Sequence, residues 1–172
     1  ETKVLRSEVI HLTMRAGGRD IDKVNTEGAG TVDFLPNHTG QAKRFLKGER
    51  LLFTYAPDNR LQQFYTVNAS TRMEHPDQPS GPPILTQSKE LAANFDPKTG
   101  EMSLMAQRYD FHYQEGGRQA TANLATLDPA KDVITLDGAA RVWDPTGSAS
   151  ADKLVMNQKS GDFVADGHVT TI

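Results

Sequence analysis

Polar and apolar side chains alternate along most of this chain, and the alternation breaks at regularly placed turn clusters. Ile10, Leu12 and Met14 alternate with His11 and Thr13; Tyr109, Phe111 and Tyr113 alternate with Asp110 and His112; Leu154 and Met156 alternate with Val155 and Asn157. A repeat of two places each set on one face of a β-strand. Spacings of three and four, the mark of a helix, show only weakly around Ser88 to Phe95 and predict at most one short turn there. The breaks fall at Gly17-Gly18, Pro36 to Gly40, Pro57-Asp58-Asn59, Asp96-Pro97, Glu115-Gly116-Gly117, Asp128-Pro129, Asp144-Pro145 and Ser160-Gly161. Each has turn chemistry of its own, because Pro presets φ, Gly accepts positive φ and Asp caps its own turn. About 10 to 18 residues rich in Val, Ile, Leu, Phe, Tyr and Thr separate the clusters, which predicts long strands joined as hairpins.

Glu74 to Pro83 departs from this rhythm, with four prolines in ten residues. Proline cannot donate to a strand ladder, so the segment predicts a protruding loop at about 74–83. Neither half of the chain alone would hold much core, and the expectation is one domain spanning 1–172.

Beneath the turn spacing runs a weak repeat of roughly 30 to 40 residues. Small residues lead into an apolar strand, a turn follows, then a second strand, then Gly or Asn with a small residue. Gly147-Ser148-Ala149 through Gly167-His168-Val169 is one copy, Gln119-Ala120 through Gly138-Ala139-Ala140 a second, and Gly40-Gln41-Ala42 through Asn68-Ala69-Ser70 a third. Gly28-Ala29-Gly30 looks like the end of another. Repeats of this length signal stacked supersecondary units.

Composition narrows the function. Lys and Arg total 19 against 22 Asp and Glu, a net charge of −3, which leaves no cationic face for nucleic acid. The absence of cysteine removes disulfides, thiolate metal sites and cysteine nucleophiles. No apolar run nears the ~20 residues that span a bilayer as a helix. Glu1-Thr2-Lys3-Val4 lacks the basic and apolar regions of a secretion signal, and both chain ends are strand-like; this predicts a mature form or a cut from something longer.

Candidate chemistry is sparse. His11, His38, His75, His112 and His168 are scattered, and Asp110 with His112 is the one pair that could share a strand face. Nothing nearby completes a metal set or an acid–base set, so solvated surface roles are expected and no cofactor is predicted. Gly28-x-Gly30 lacks the rest of a dinucleotide fingerprint. Asp96, Asp128 and Asp144 each precede proline without the alternating acidic series of a calcium loop, which predicts turn capping.

Ala151-Asp152-Lys153-Leu154, the following turn and Gly167-His168-Val169 resemble the OstA-like family of lipopolysaccharide-transport proteins. The resemblance is clearest from Asn94 to Ile172 and fainter across Val4 to Met73. It implies an all-β fold, an open antiparallel β-jelly roll of repeated long hairpins, in which two sheets face each other in a V. It further implies a periplasmic location, shielding of lipopolysaccharide or a related lipid, and edge-strand pairing with other jelly-roll components. The lack of a catalytic constellation predicts that the chain is not an enzyme, and the poorly defended segments Val9 to Met14 and Phe163 to Ile172 predict head-to-tail self-association. The lipid-binding residues expected on the inner faces are Ile10, Leu12, Phe34, Phe53, Phe64, Tyr109, Phe111, Ile134, Leu136, Val142, Leu154 and Met156. The competing expectation is a closed structural or adhesive β-repeat module with a filled interior and no ligand.

Overall fold

The structure, a computed structural model, describes residues 1–172. Thirteen strands make up the fold and there is no helix. Two short hairpin pairs open the chain: β1 (Thr2–Ser7), β2 (Ile10–Met14), β3 (Ile21–Thr26) and β4 (Ala29–Leu35). Seven long strands follow: β5 (Arg44–Ala56), β6 (Arg60–Met73), β7 (Ile84–Phe95), β8 (Met102–Glu115), β9 (Arg118–Asp128), β10 (Val133–Asp144) and β11 (Gly147–Asn157). β12 (Phe163–Asp166) and β13 (Thr170–Thr171) close it. The segment from Ser88 to Phe95 is strand throughout, inside β7.

All pairings are antiparallel, and the sheet runs β1-β4-β5-β6-β7-β8-β9-β10-β11-β12. β5 pairs with β4 along its first half and with β3 along its second, and β11 likewise takes β13 on its first half and β12 on its second. The two facing sheets expected from the sequence are the two layers of one continuous sheet, each long strand contributing a half to both. The Pro-rich segment is the loop between β6 and β7.

Five of the long strands bend where the inward parity of their side chains changes, whereas β8 (Gln107, Phe111) and β10 (Leu136, Ala140) keep it across their bends. Leu46 and Gly48 give way to Leu51 and Phe53 on β5; Phe64 and Thr66 to Ala69 on β6; Thr86 and Ser88 to Leu91 and Ala93 on β7; Ala120 and Ala122 to Ala125 on β9; Ala149 and Ala151 to Leu154 and Met156 on β11. Register shifts mark the same points on several strands, between Glu49 and Leu52, Gln87 and Glu90, Arg108 and Phe111, and Asp137 and Ala140. Left-handed residues cluster there too: Arg50, Asn68, Tyr109, Asp110, Gly138 and Ala139. An extra residue in a strand bends it and increases its twist, and a row of them folds the sheet over itself. The Gly-or-Asn element of the sequence repeat is this row of bends.

One contact proves the fold-over. Thr86 pairs in register with Tyr113, and Gln107 pairs with Leu91, so a flat sheet would hold Thr86 and Gln107 about 20 Å apart. Their side chains meet instead, Thr86 Oγ1 lying 3.1 Å from Gln107 Oε1. Two apolar clusters fill the space between the layers. Val32, Phe34, Leu46, Leu51, Phe53, Phe64, Leu91 and Phe95 dominate the first, and Ile84, Phe111, Tyr113, Ile134, Leu136, Ala140 and Leu154 the second. The chain exposes 10120 Å², against roughly 8,300 Å² for a compact monomer of this length; the sandwich is thin and open-ended.

Candidate functional site

The interior between the layers contains a narrow cavity of about 100 Å³, and 16 of its 23 lining residues are hydrophobic. Of the residues expected inside, Phe34, Phe64, Phe111 and Ile134 line it. Phe53, Leu136, Leu154 and Met156 are buried in the surrounding core without facing the cavity. Val142 is half-buried against the second cluster.

Three expected residues lie outside the interior. Ile10 and Leu12 are exposed because β2 pairs only with β3 at the rim, and no second layer covers either face of it. Tyr109 is exposed because it and Asp110 both adopt left-handed φ at the β8 bend, which interrupts the alternation that seemed to align it with Phe111. Asp110 turns outward to Lys89 Nζ at 3.0 Å, away from His112.

Sequence reasoning missed Ile84, Leu91, Ala93, Phe95, Met102 and Met105 on the cavity wall, and placed Tyr113 on a face with Phe111 without assigning it to the site. The signal was present as the parity change: Ile84, Thr86 and Ser88 keep one phase, and Leu91, Ala93 and Phe95 the other. The three-residue step between Ser88 and Leu91 is also what imitates a helix.

At one mouth of the cavity Arg44 lies over the Phe34 ring, 4.9 Å from its centroid, and pairs with Glu1 at 2.5 Å. Arg72 lines the same wall and reaches Glu74 at 3.7 Å. Tyr113 donates its hydroxyl to Glu115 at 2.7 Å, and the other Glu115 oxygen meets His75 Nε2 at 2.7 Å. Burial and then the Glu115 hydrogen bond raise the Tyr113 pKa, so the phenol stays protonated as a donor. This chain of bonds fastens the Pro-rich loop to the sheet.

The other histidines that pair do so with a single carboxylate, His11 with Glu27 and His168 with Asp152, each at 2.7 Å. No three His, Asp or Glu residues gather in a metal-binding group. Asp96, Asp128 and Asp144 cap their turns: their Oδ1 atoms accept from the amides of Lys98 at 2.7 Å, Ala130 at 3.1 Å and Thr146 at 2.7 Å.

The free edges are the last element of the site. β1 and β2 end the sheet on one side, β12 and β13 on the other. β1 carries Lys3 and Arg6, charges that blunt an edge, whereas β2 (Ile10-His11-Leu12-Thr13-Met14) and β12 (Phe163-Val164-Ala165-Asp166) have no proline and one acid between them. Leu12 is 58% and Val164 68% exposed.

Fold and interior together define a β-jelly-roll around a small, mainly hydrophobic cavity, with edge strands at both ends of its sheet. Residues 38–162 match the family described as LptA/(LptD N-terminal domain) LPS transport protein, and the chain belongs to that family. The OstA-like resemblance in the sequence is thus that of a genuine member. A solved structure is similar across 100% of this chain and 94% of its own, at 8% identity and a TM-score of 0.36; it is LptH, the LptA homologous periplasmic component of the conserved lipopolysaccharide transport device from Pseudomonas aeruginosa. No curated protein sequence matches the chain.

Proposed function

We propose that this chain is a periplasmic module of lipopolysaccharide transport whose layers part to shelter acyl chains between their inner faces. The observation that carries the reading is the mainly hydrophobic cavity wall, which draws on both layers and both core clusters. Removing one CH₂ from water is worth ~0.8 kcal/mol, so about ten methylenes contribute on the order of 8 kcal/mol. That is comparable to the whole stability of a domain, typically ~5–15 kcal/mol, and can offset a partial separation of the layers. Separation is required, because a cavity of about 100 Å³ is smaller than the roughly 150 Å³ that accommodates benzene.

That small volume also favours the second reading, a filled module that binds nothing and serves as scaffold. A photo-crosslinking side chain distinguishes them when placed at inward Phe64 or Phe111 and at their outward neighbours Tyr65 or His112. Shielding of acyl chains predicts adducts with lipopolysaccharide at the inward pair alone. Adducts at neither pair, or equally at both, would sink the lumen reading.

Partners in this proposal join at the edges. β2 and β12 offer unpaired backbone groups at opposite ends, so related jelly rolls, or further copies, extend the sheet head to tail and prolong the lumen.

A further inference from the structure

An uncharged row crosses the outside of the sandwich. Tyr65, Ala92, Ala106, Thr126, Thr135 and Val155 pair in register from β6 to β11, and Val164 on β12 continues the line. Their chain neighbours are the buried ones: Phe64 and Thr66 beside Tyr65, Leu91 and Ala93 beside Ala92, Leu154 and Met156 beside Val155. Alternation therefore aims the row outward.

The next outward row, two residues along each strand toward the bend, is charged. Glu90, Arg108, Leu124, Asp137 and Lys153 follow one another in register from β7 to β11. Counted outward from Leu124, each charge on one side has its opposite on the other, Arg108 against Asp137 and Glu90 against Lys153. None of the four forms an ion pair within the chain, whereas Lys89 and Asp110 beside them do so at 3.0 Å. Opposite signs on adjacent strands serve the sheet itself. Reversal of sign about a neutral centre is a further property, and it is the one that a twofold contact requires.

We propose that a second copy of this chain docks on this face about a twofold axis running along β9 through Leu124 and Thr126. Such a contact is isologous: Arg108 faces the partner's Asp137 and Glu90 the partner's Lys153, each twice, while Ala92 faces the partner's Val155 and Tyr65 the partner's Val164. The uncharged row is the centre of the contact and the charged row its flank, the usual layout of an interface. Two stacked twisted sheets cross at about 30°, which displaces the facing ends of a five-strand row by roughly 5 Å, within reach of Arg and Lys side chains. On the other flank Asp128 meets its own copy, but its carboxylate is held by the amides of Ala130 and Lys131 and lies 3.7 Å from Lys131 Nζ. Three outward rows from β6 to β12 cover roughly 600 Å² per partner, below the ~800 Å² of a standard interface, so the dimer is weak. The contact uses neither the cavity nor the strand edges and stands apart from the reading of the interior.

The test is sedimentation equilibrium of the full chain carrying Leu12→Lys, a change that removes one of the two unlike edges a head-to-tail contact needs. A monomer–dimer equilibrium that stops at two chains is expected. Arg108→Glu or Asp137→Arg alone, each bringing like charges together twice, should weaken the dimer about tenfold, and the two combined, which exchange the signs, should restore it to within about threefold. Circular dichroism melts show which variants fold. A short bis-maleimide supplies a second measurement that needs no charge reversal: the chain has no cysteine, so Leu124→Cys should crosslink into dimers, and His112→Cys, outward beyond the β8 bend, should not. A chain that stays monomeric at millimolar concentration, association that runs past two chains, a folded double variant no tighter than either single one, or equal crosslinking at the two cysteines overturns the proposal.

Discussion

Gly48 lies against the buried side chain of Thr66 so closely that any Cβ there would fall within the contact radius of Thr66 Oγ1. Thr66 is fully buried and donates to Glu49 O at 2.8 Å, so it cannot swing aside without leaving a hydroxyl unpaired. Gly48→Ala should cost about 2–3 kcal/mol by overpacking, and Thr66→Ala should recover part of the loss in the double variant, read by urea denaturation. Additive losses would show that the two positions do not couple. Gly138 poses the same problem by a different route, with φ +78° and Asn123 Nδ2 only 2.7 Å from a built Cβ. Burial separates the apolar residues by consequence as well. Leu136 is 1% and Tyr109 54% exposed, so Leu136→Asp should cost several kcal/mol, or prevent folding, while Tyr109→Asp changes stability by tenths. Similar melting temperatures for the two variants would contradict the inward and outward assignment.

At the scale of elements, the C-terminal segment is held to β11 by two short ladders and by contacts at Asp152 between them. Asp152 N donates to Gly167 O at 2.7 Å, and Asp152 Oδ2 meets His168 Nδ1 at 2.7 Å. The side-chain hydrogen bond to Asp152 and then its charge raise the His168 pKa above 6.5. A raised folded pKa gives stabilisation that is complete below the unfolded pKa and lost as pH rises through the folded value. The β12–β13 connection should accordingly loosen as pH rises through the folded value, seen as amide exchange at Thr170 and Thr171 that quickens beyond its intrinsic base-catalysed rise. Asp152→Asn should bring the His168 titration, followed by NMR, down toward the ordinary value; an unchanged midpoint would refute the pairing. Asp144 has the opposite sign: the Thr146 hydroxyl, then its amide, lower its pKa, so its cap is present at neutral pH and lost as pH falls through the folded value.

For the whole molecule, the two weakly defended edges lie on β2 and β12, at opposite ends of one sheet. A contact between unlike edges is heterologous and propagates unless its rotation closes a ring. Sedimentation over a wide concentration range should show end-to-end association of the intact chain, and Leu12→Lys with Val164→Lys should abolish it. Both side chains are mostly exposed, so the fold should survive the change. A strictly monomeric wild-type chain at high concentration, or association indifferent to the two lysines, would remove the assembly part of the proposal.

The sequence by itself determined the strands, their antiparallel hairpin order, the Asp-capped turns and the repeat, because period-two alternation and turn chemistry are local properties that need no partner. It also carried the family, through the spacing of Ala151 to Leu154 and Gly167 to Val169. Which apolar residues face inward was decided only by the tertiary structure. A single extra residue at a bend inverts the facing of everything beyond it, as between Ser88 and Leu91, and the left-handed pair at Tyr109 and Asp110 broke a stripe that looked continuous. Whether a face is covered depends on a second layer contributed by strands far away in sequence, which β2 lacks and β8 has. For the same reason the meeting of Thr86 with Gln107 could not be foreseen: it exists only because one long sheet folds back on itself.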